Sequence, residues 1–143
     1  ILGLTRDSGL DAIVTATLQS MAYQTRDLLE AMGRDGTRLQ ALRVDGGVSV
    51  NTWVLQCMAD LVGMAVSRPR MTETTALGVA SLAGYRQGVL PSLAHLPSLC
   101  GEDRRFTPGM SDARREQLYA GWLDAVARVR TPSRSASEPP SAG

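Results

Sequence analysis

The residues best placed to do chemistry form one turn, Asp45-Gly46-Gly47, with Asn51 four residues after the second glycine. The turn follows a short apolar strand, and two adjacent glycines let the backbone approach a bulky ligand because no Cβ intervenes. A helix that begins near Asn51 would direct its free N–H groups and the positive end of its dipole at the same space. The stretch fits a nucleotide-binding turn, but the same pattern is common as a plain strand-to-helix connection.

Asn51 also has a purely structural role available, because asparagine is among the best N-cap residues. A capping asparagine at the mouth of a cleft can still present its amide to a ligand.

Cys57 and Cys100 lack CxxC or Cys/His spacing, and Cys57 has the apolar neighbours of a core residue. His95 stands in a loop-like segment without a nearby metal-ligand partner. We therefore predict no metal ligand in this chain and no catalytic role for His95.

Composition points to a globular domain, with 43% hydrophobic and 20% charged residues in 143. The formal net charge is +1 and the arginines are scattered, so we expect no nucleic-acid partner and no attraction to an anionic membrane.

No apolar run approaches the ~20 residues that span a bilayer, and no signal peptide opens the sequence. We expect a cytoplasmic protein. Because the sequence starts at Ile1 in mid-pattern, we also expect it to be a piece of a longer chain.

Hydrophobic periodicity and capping residues predict four helices and two strands. The predicted elements, in chain order, are a helix over Leu10–Met32 capped by Ser8, a strand over Ala41–Asp45, a helix over Asn51–Leu61 with Trp53 on its buried face, a strand over Met64–Ser67, a helix from Thr72–Thr75 to Gln87, a loop over Val89–Pro108 and a helix from Ser111 to Arg130. The two strands and the helix between them form a βαβ unit, so the strands should be parallel. Residues 131–143 have almost nothing to bury, and we expect them to be disordered.

The last two predicted helices differ in character. The helix that follows the second strand has a face of small residues, which would allow close packing against a sheet or beneath a ligand. The final helix carries an apolar and aromatic stripe that is more typical of a core than of a binding surface. The members of that stripe are Leu118, Trp122, Val126 and Val129.

Eight short motifs occur along most of the sequence in a fixed order. They are GLTR (Gly3–Arg6), AYQTRDLLEAM (Ala22–Met32), LRVDGG (Leu42–Gly47), N-x-W-x-x-Q (Asn51–Gln56), ADLVG (Ala59–Gly63), ETTALG (Glu73–Gly78), SLAG (Ser81–Gly84) and YAGW (Tyr119–Trp122). Each motif alone is modest, but together they resemble the glycerol kinases of the FGGY carbohydrate kinase family. Related sugar kinases usually carry GGG in place of RVDGG, which favours the glycerol branch.

The resemblance implies an α/β fold, with residues 1–130 forming part of the C-terminal actin-like, ribonuclease H-like ATPase domain. It implies a kinase that uses ATP, with ADP as product, Mg²⁺ as cofactor and glycerol as the accepting alcohol. In the family, the second glycine of the DGG turn and the asparagine four residues later line the adenine pocket. They match Gly47 and Asn51. Homo-oligomers are usual for the family.

The family's catalytic aspartate, glycerol-binding residues and phosphate loops have no counterpart in this sequence, so the chain alone should be inactive. Two positions depart from the family pattern. Thr52 stands where a second asparagine is common, and Leu123-Asp124 replaces a usually basic pair. The first departure could tune the pocket, whereas the second alters a surface. Two alternatives stay open, namely part of another FGGY sugar kinase and a non-catalytic remnant or binding module.

Overall fold

The computed structural model describes residues 1–37, 39–95 and 100–130. The regular elements are α1 (Leu10–Arg34), β1 (Ala41–Arg43), a 3-10 turn (Gly47–Val50), α2 (Thr52–Val62), β2 (Ala65–Pro69), α3 (Thr74–Arg86), a second 3-10 turn (Leu93–His95), β3 (Glu102–Phe106) and α4 (Asp112–Val129). The predicted tail, residues 131–143, lies outside the described residues. None of the described helices is long and apolar enough to cross a membrane.

The three strands form one mixed sheet in the order β1-β2-β3. β1 and β2 are parallel, with Ala41 opposite Ala65, so the predicted βαβ arrangement is confirmed. β3 runs antiparallel to β2 and places Phe106 opposite Val66, with an irregularity in the register at Arg68/Pro69. The predicted α/β class with helices packed on a sheet is confirmed.

The core lies between α1, α2 and the sheet. Its buried apolar residues are Ala22, Leu55, Met58, Ala59, Leu61, Val66 and Phe106. α2 supplies most of them because apolar residues recur along it at helical spacing and its hydrophobic face meets both α1 and the strands. Burying these side chains contributes ~1.5–3 kcal/mol for each large one, which makes α2 the centre of the fold.

Two predicted caps are confirmed and one is wrong. Asn51 caps α2, and Ser111 caps α4 by accepting a bond from the Arg114 N–H. Ser8 does not cap α1, because Gly9 is the N-cap and no side chain caps it. The Ser8 hydroxyl instead accepts a hydrogen bond from the Thr5 N–H at 2.9 Å. A serine that closes its own local turn is not available to the helix one residue later.

Three further expectations are corrected. The Val89–Pro108 segment, predicted as a loop, contains β3, whose side chains are exposed except for Phe106. Trp53 is 46% exposed, although it was placed on the buried face of its helix. The α4 stripe is only partly covered, and α4 has no fully buried residue. On the small-residue face of α3, a Cβ on Gly78 would meet nothing within 4 Å, whereas a Cβ on Gly84 would meet Leu90 at 3.3 Å.

Candidate functional site

The glycine turn begins where β1 ends and is tied to the neighbouring segments by its backbone. The Val44 N–H donates to the Ser67 carbonyl at 3.0 Å, and the Gly46 N–H donates to the Thr72 carbonyl at 2.9 Å. Gly46 has φ +78° and ψ −176°, a conformation that only glycine adopts readily. The first glycine of the pair is therefore required by the path of the backbone.

Gly47 is a glycine for a different reason. Its φ is not positive, it is exposed, and a Cβ built on it would meet nothing within 4 Å. On its inner side the turn is closed by Ser49, which is fully buried and whose hydroxyl donates to the Gly46 carbonyl at 2.6 Å. The turn is thus fixed on its inner side and open at Gly47, which leaves the backbone accessible to a flat ligand.

Asn51 ends the 3-10 turn and begins α2. Its Oδ1 accepts hydrogen bonds from the N–H groups of Trp53 at 3.1 Å and Val54 at 3.3 Å. The side chain is exposed, and its amide nitrogen forms no hydrogen bond within the described residues. Because the oxygen is used for capping, the orientation of the amide is fixed, and its N–H groups can donate to a ligand acceptor.

The start of α3 lies beside the same turn. The Thr74 hydroxyl donates to the Asp45 carboxylate, which joins the end of β1 to the first residue of α3. The Asp45 carboxylate therefore supports the turn through its contact with α3. The glycine turn and the start of α3 lie beyond the carboxyl ends of two parallel strands, where α/β sheets bind ligands.

Sequence reasoning missed Arg68, which reaches the turn from β2. Its Nη1 donates to the Ser49 carbonyl at 3.2 Å, and its Nε donates to Asp103 Oδ2 at 2.8 Å. Nothing in the spacing of the arginines distinguishes Arg68 from the others. Recognising β3, which carries Asp103, would have been the only signal.

The shifted pKa values lie away from the turn. Burial raises the pKa of the Cys57 thiol, and the negative charge of Asp60 adds to the effect. This keeps Cys57 protonated and agrees with its predicted role as a core residue. Within the described ranges, no group of His, Cys, Asp and Glu residues could hold a metal ion.

A cleft of about 560 Å³ lies between α1 and α4, lined by Arg26, Glu30, Glu116 and Tyr119 among others. These polar groups bond to each other, since Arg26 Nη2 donates to Glu116 and Tyr119 donates to Asp27. The cleft is therefore a polar contact between two helices, and its lining includes no residue of the glycine turn.

Comparison with known proteins agrees with the motif order. The model of the FGGY family of carbohydrate kinases, C-terminal domain, matches residues 1–86. The chain belongs to this family. Among solved structures, a crystal structure of Plasmodium falciparum glycerol kinase with ADP matches with a TM-score of 0.75 and 30% identity, covering 90% of this chain and 26% of that one. The predicted membership of the FGGY family is confirmed.

The relatives with curated descriptions include the glycerol kinase of Ectopseudomonas mendocina, 59% identical over 132 residues, which are 92% of this chain and 27% of the relative. Glycerol kinase 1 of Pseudomonas aeruginosa is 56% identical over 131 residues, 92% of this chain and 26% of the relative. This FGGY chain therefore spans about a quarter of the length of the relatives it matches. A gluconate kinase from Lactobacillus acidophilus, 16% identical with a TM-score of 0.65 and covering 90% of this chain and 26% of that one, shows the same fold.

Proposed function

We propose that this chain forms the adenine-binding wall of an ATP-dependent glycerol kinase, which converts ATP and glycerol to ADP and sn-glycerol 3-phosphate. Gly47 and Asn51 are the proposed base-contacting residues. The observation that carries the proposal is the open, rigid turn at Gly47, in a chain 59% identical to a glycerol kinase. In that position the base would lie over Gly47 and accept a hydrogen bond from the Asn51 amide.

The proposal assigns only part of the reaction to this chain. Phosphoryl transfer also needs positioned phosphates, a group that orients the accepting hydroxyl, and Mg²⁺ to neutralise charge on the phosphates. The described residues do not fit a metal site, so the proposal places Mg²⁺ and the catalytic groups in the part of the relatives that this chain does not span. Residues 1–130 would belong to the nucleotide-binding side of the second actin-like domain.

Location and assembly follow from the same proposal. A kinase that takes its phosphate from ATP would work in the cytoplasm, where ATP is made and used. By analogy with the family, the complete enzyme would be a homo-oligomer, with glycerol and ATP as its small-molecule substrates.

A steric substitution at Gly47 tests the adenine assignment. In the complete gene product, read from its start codon, Gly47→Trp should raise KM for ATP about tenfold or more, which corresponds to about 1.4 kcal/mol of binding free energy. KM for glycerol should change little, because the indole would fill only the base pocket. The backbone tolerates the change, since Gly47 has no positive φ and a Cβ meets no neighbour. Titration with ADP measures the same loss without turnover.

The matched control is Gly121→Trp, on α4, where a Cβ also meets nothing within 4 Å. This variant should keep both Michaelis constants. Equal increases in both constants for Gly47→Trp would count against the adenine assignment.

The accepting substrate is tested separately by comparing glycerol with xylulose and gluconate. Glycerol should have the highest kcat/KM, because the curated relatives of highest identity are glycerol kinases. A sugar or sugar acid preferred tenfold over glycerol would overturn the glycerol assignment and leave the adenine assignment intact.

A further inference from the structure

Arg68 connects the middle of the sheet to the candidate adenine turn. It lies on β2, between the parallel strand β1 and the antiparallel strand β3. Its side chain is only 17% exposed, and all three guanidinium nitrogens have partners. Nη1 donates to the Ser49 carbonyl at 3.2 Å, while Nε and Nη2 contact Asp103 Oδ2 at 2.8 and 2.6 Å.

Ser49 links Arg68 to the turn. It lies two residues after Gly47 and two before Asn51, and it is fully buried. Its hydroxyl and its N–H both donate to the Gly46 carbonyl, at 2.6 and 3.0 Å. Arg68, Ser49 and Gly46 therefore form a continuous chain of hydrogen bonds through the buried Ser49, whereas Gly47 in the same turn is exposed.

Asp103 fixes the direction of the guanidinium. With Nε and Nη2 both held by one carboxylate oxygen, the planar group has little freedom to rotate, and Nη1 is aimed at the turn. The carboxylate is 45% exposed, so the ion pair contributes little to overall stability. Its effect is local and falls on the 3-10 turn.

We propose that Arg68 is a positioning residue of the adenine site, which holds the Gly47–Asn51 turn through the Ser49 carbonyl, with Asp103 as its anchor. The proposal rests on the proposed nucleotide-binding role of that turn. In this proposal, Arg68 itself contacts no ligand. Without Arg68, the Ser49 carbonyl loses its charged hydrogen-bond donor. The turn then no longer holds Gly47 and Asn51 in fixed positions relative to the bound base.

The test uses Arg68→Met in the complete gene product, since methionine keeps much of the apolar stem and removes every donor. KM for ATP and the dissociation constant for ADP should both rise about fivefold to tenfold. Losing a hydrogen bond from a charged donor is worth about tenfold or more, and because Arg68 acts only through the turn, part of that effect reaches the ligand. KM for glycerol should stay within about twofold. Asp103→Asn should shift the same two constants in the same direction by less. Arg68→Lys, which keeps the charge, should restore part of the affinity.

The control is Arg105→Met on β3, which removes an arginine whose nearest partner is Glu102 at 3.8 Å and which is 53% exposed. It should leave all four constants unchanged: KM for ATP and for glycerol, the ADP dissociation constant and kcat. Equal rises in KM for ATP and glycerol in Arg68→Met, or a lowered melting temperature with unchanged ADP binding, would mean a merely structural role and overturn the inference.

Measuring Gly47→Trp in parallel separates the two proposals. If Gly47→Trp weakens ADP binding and Arg68→Met does not, the positioning role is wrong and the adenine site stands. If neither variant changes ADP binding, both proposals are wrong.

Discussion

The contact between α1 and α4 depends on Arg26, and replacing this residue gives a sharp test of how the two helices are held together. Its side chain is 9% exposed, and its Nη2 contacts both carboxylate oxygens of Glu116, at 2.7 and 2.8 Å. Nη1 donates to the Leu61 carbonyl at 3.3 Å, and the guanidinium carbon lies 3.9 Å from the centre of the Tyr119 ring. One side chain therefore joins α1 to α2 and to α4.

We expect Arg26→Met to lower the local free energy of unfolding by about 2 kcal/mol. The ion pair itself contributes at most ~1 kcal/mol, because Glu116 is 61% exposed and water can solvate its carboxylate once Arg26 is gone. The Leu61 carbonyl left without its partner adds ~1 kcal/mol and the lost cation–π contact ~0.5–1 kcal/mol. Methionine keeps the packing of the arginine stem, so the loss is mainly polar.

Hydrogen exchange of α1 and α4 amides, measured in the complete gene product, reports this local stability without requiring two-state unfolding of the whole protein. Arg128→Met is the control, since its pair with Asp124 also lies on α4 but is 65% and 61% exposed. Such an exposed i,i+4 pair is worth ~0.3–0.5 kcal/mol. If both variants accelerate exchange to the same small extent, Arg26 does not hold the helices together.

Two further predictions concern the same helices and the uncovered apolar surface. Burial, with the hydrogen bond to Asp27, raises the pKa of Tyr119 to about 12. The stability that the protonated Tyr119 side chain contributes is therefore complete below pH ~10 and is lost as the pH rises through 12. Tyr119→Phe should cost about 1 kcal/mol in urea unfolding at pH 8 and less at pH 11, and an unchanged difference would contradict the assignment. The isolated 143-residue chain should self-associate in sedimentation and bind a hydrophobic dye, because Val79, Leu82 and Val89 are 64%, 58% and 76% exposed. A monomer with a sharp, cooperative melt would show that expectation to be wrong.

The sequence predicted the elements whose determinants are local. The parallel pair of strands followed from two short apolar segments separated by one amphipathic helix, and the cap at Asn51 followed from residue type and position. These rules need only neighbours along the chain. The motif order then gave the family, because the spacing of eight short segments is far more specific than any one of them.

β3 could not be predicted because its sequence, EDRRF, has no alternation of apolar and polar residues. The strand pairs with β2 through its backbone and buries only Phe106 among its side chains. A strand of this kind is determined by the edge it joins, and that edge exists only in three dimensions. Missing β3 also hid Asp103, and with it the role of Arg68.

Arg26 shows the same limit for side chains. From sequence it is one member of an i,i+4 pair with Glu30, and that contact is present at 3.4 Å. The stronger partner, Glu116, lies 90 residues away in the chain. Pairings at such separations depend on how α1 and α4 approach, and neither helix reveals that in its own pattern.

The two adjacent glycines of the turn have separate physical causes, which explains why the motif alone is weak evidence for a ligand. Gly46 is set by the backbone, since its φ of +78° would be needed in any connection of this shape. Gly47 has no such constraint, because its φ is ordinary and its Cβ position is empty. If the described residues were alone, any residue type would fit at this position. A glycine there therefore points to something outside the described residues that occupies the space. Arg68 and Ser49 hold the turn through hydrogen bonds while Gly47 stays exposed, an arrangement that would suit the proposed base-binding surface.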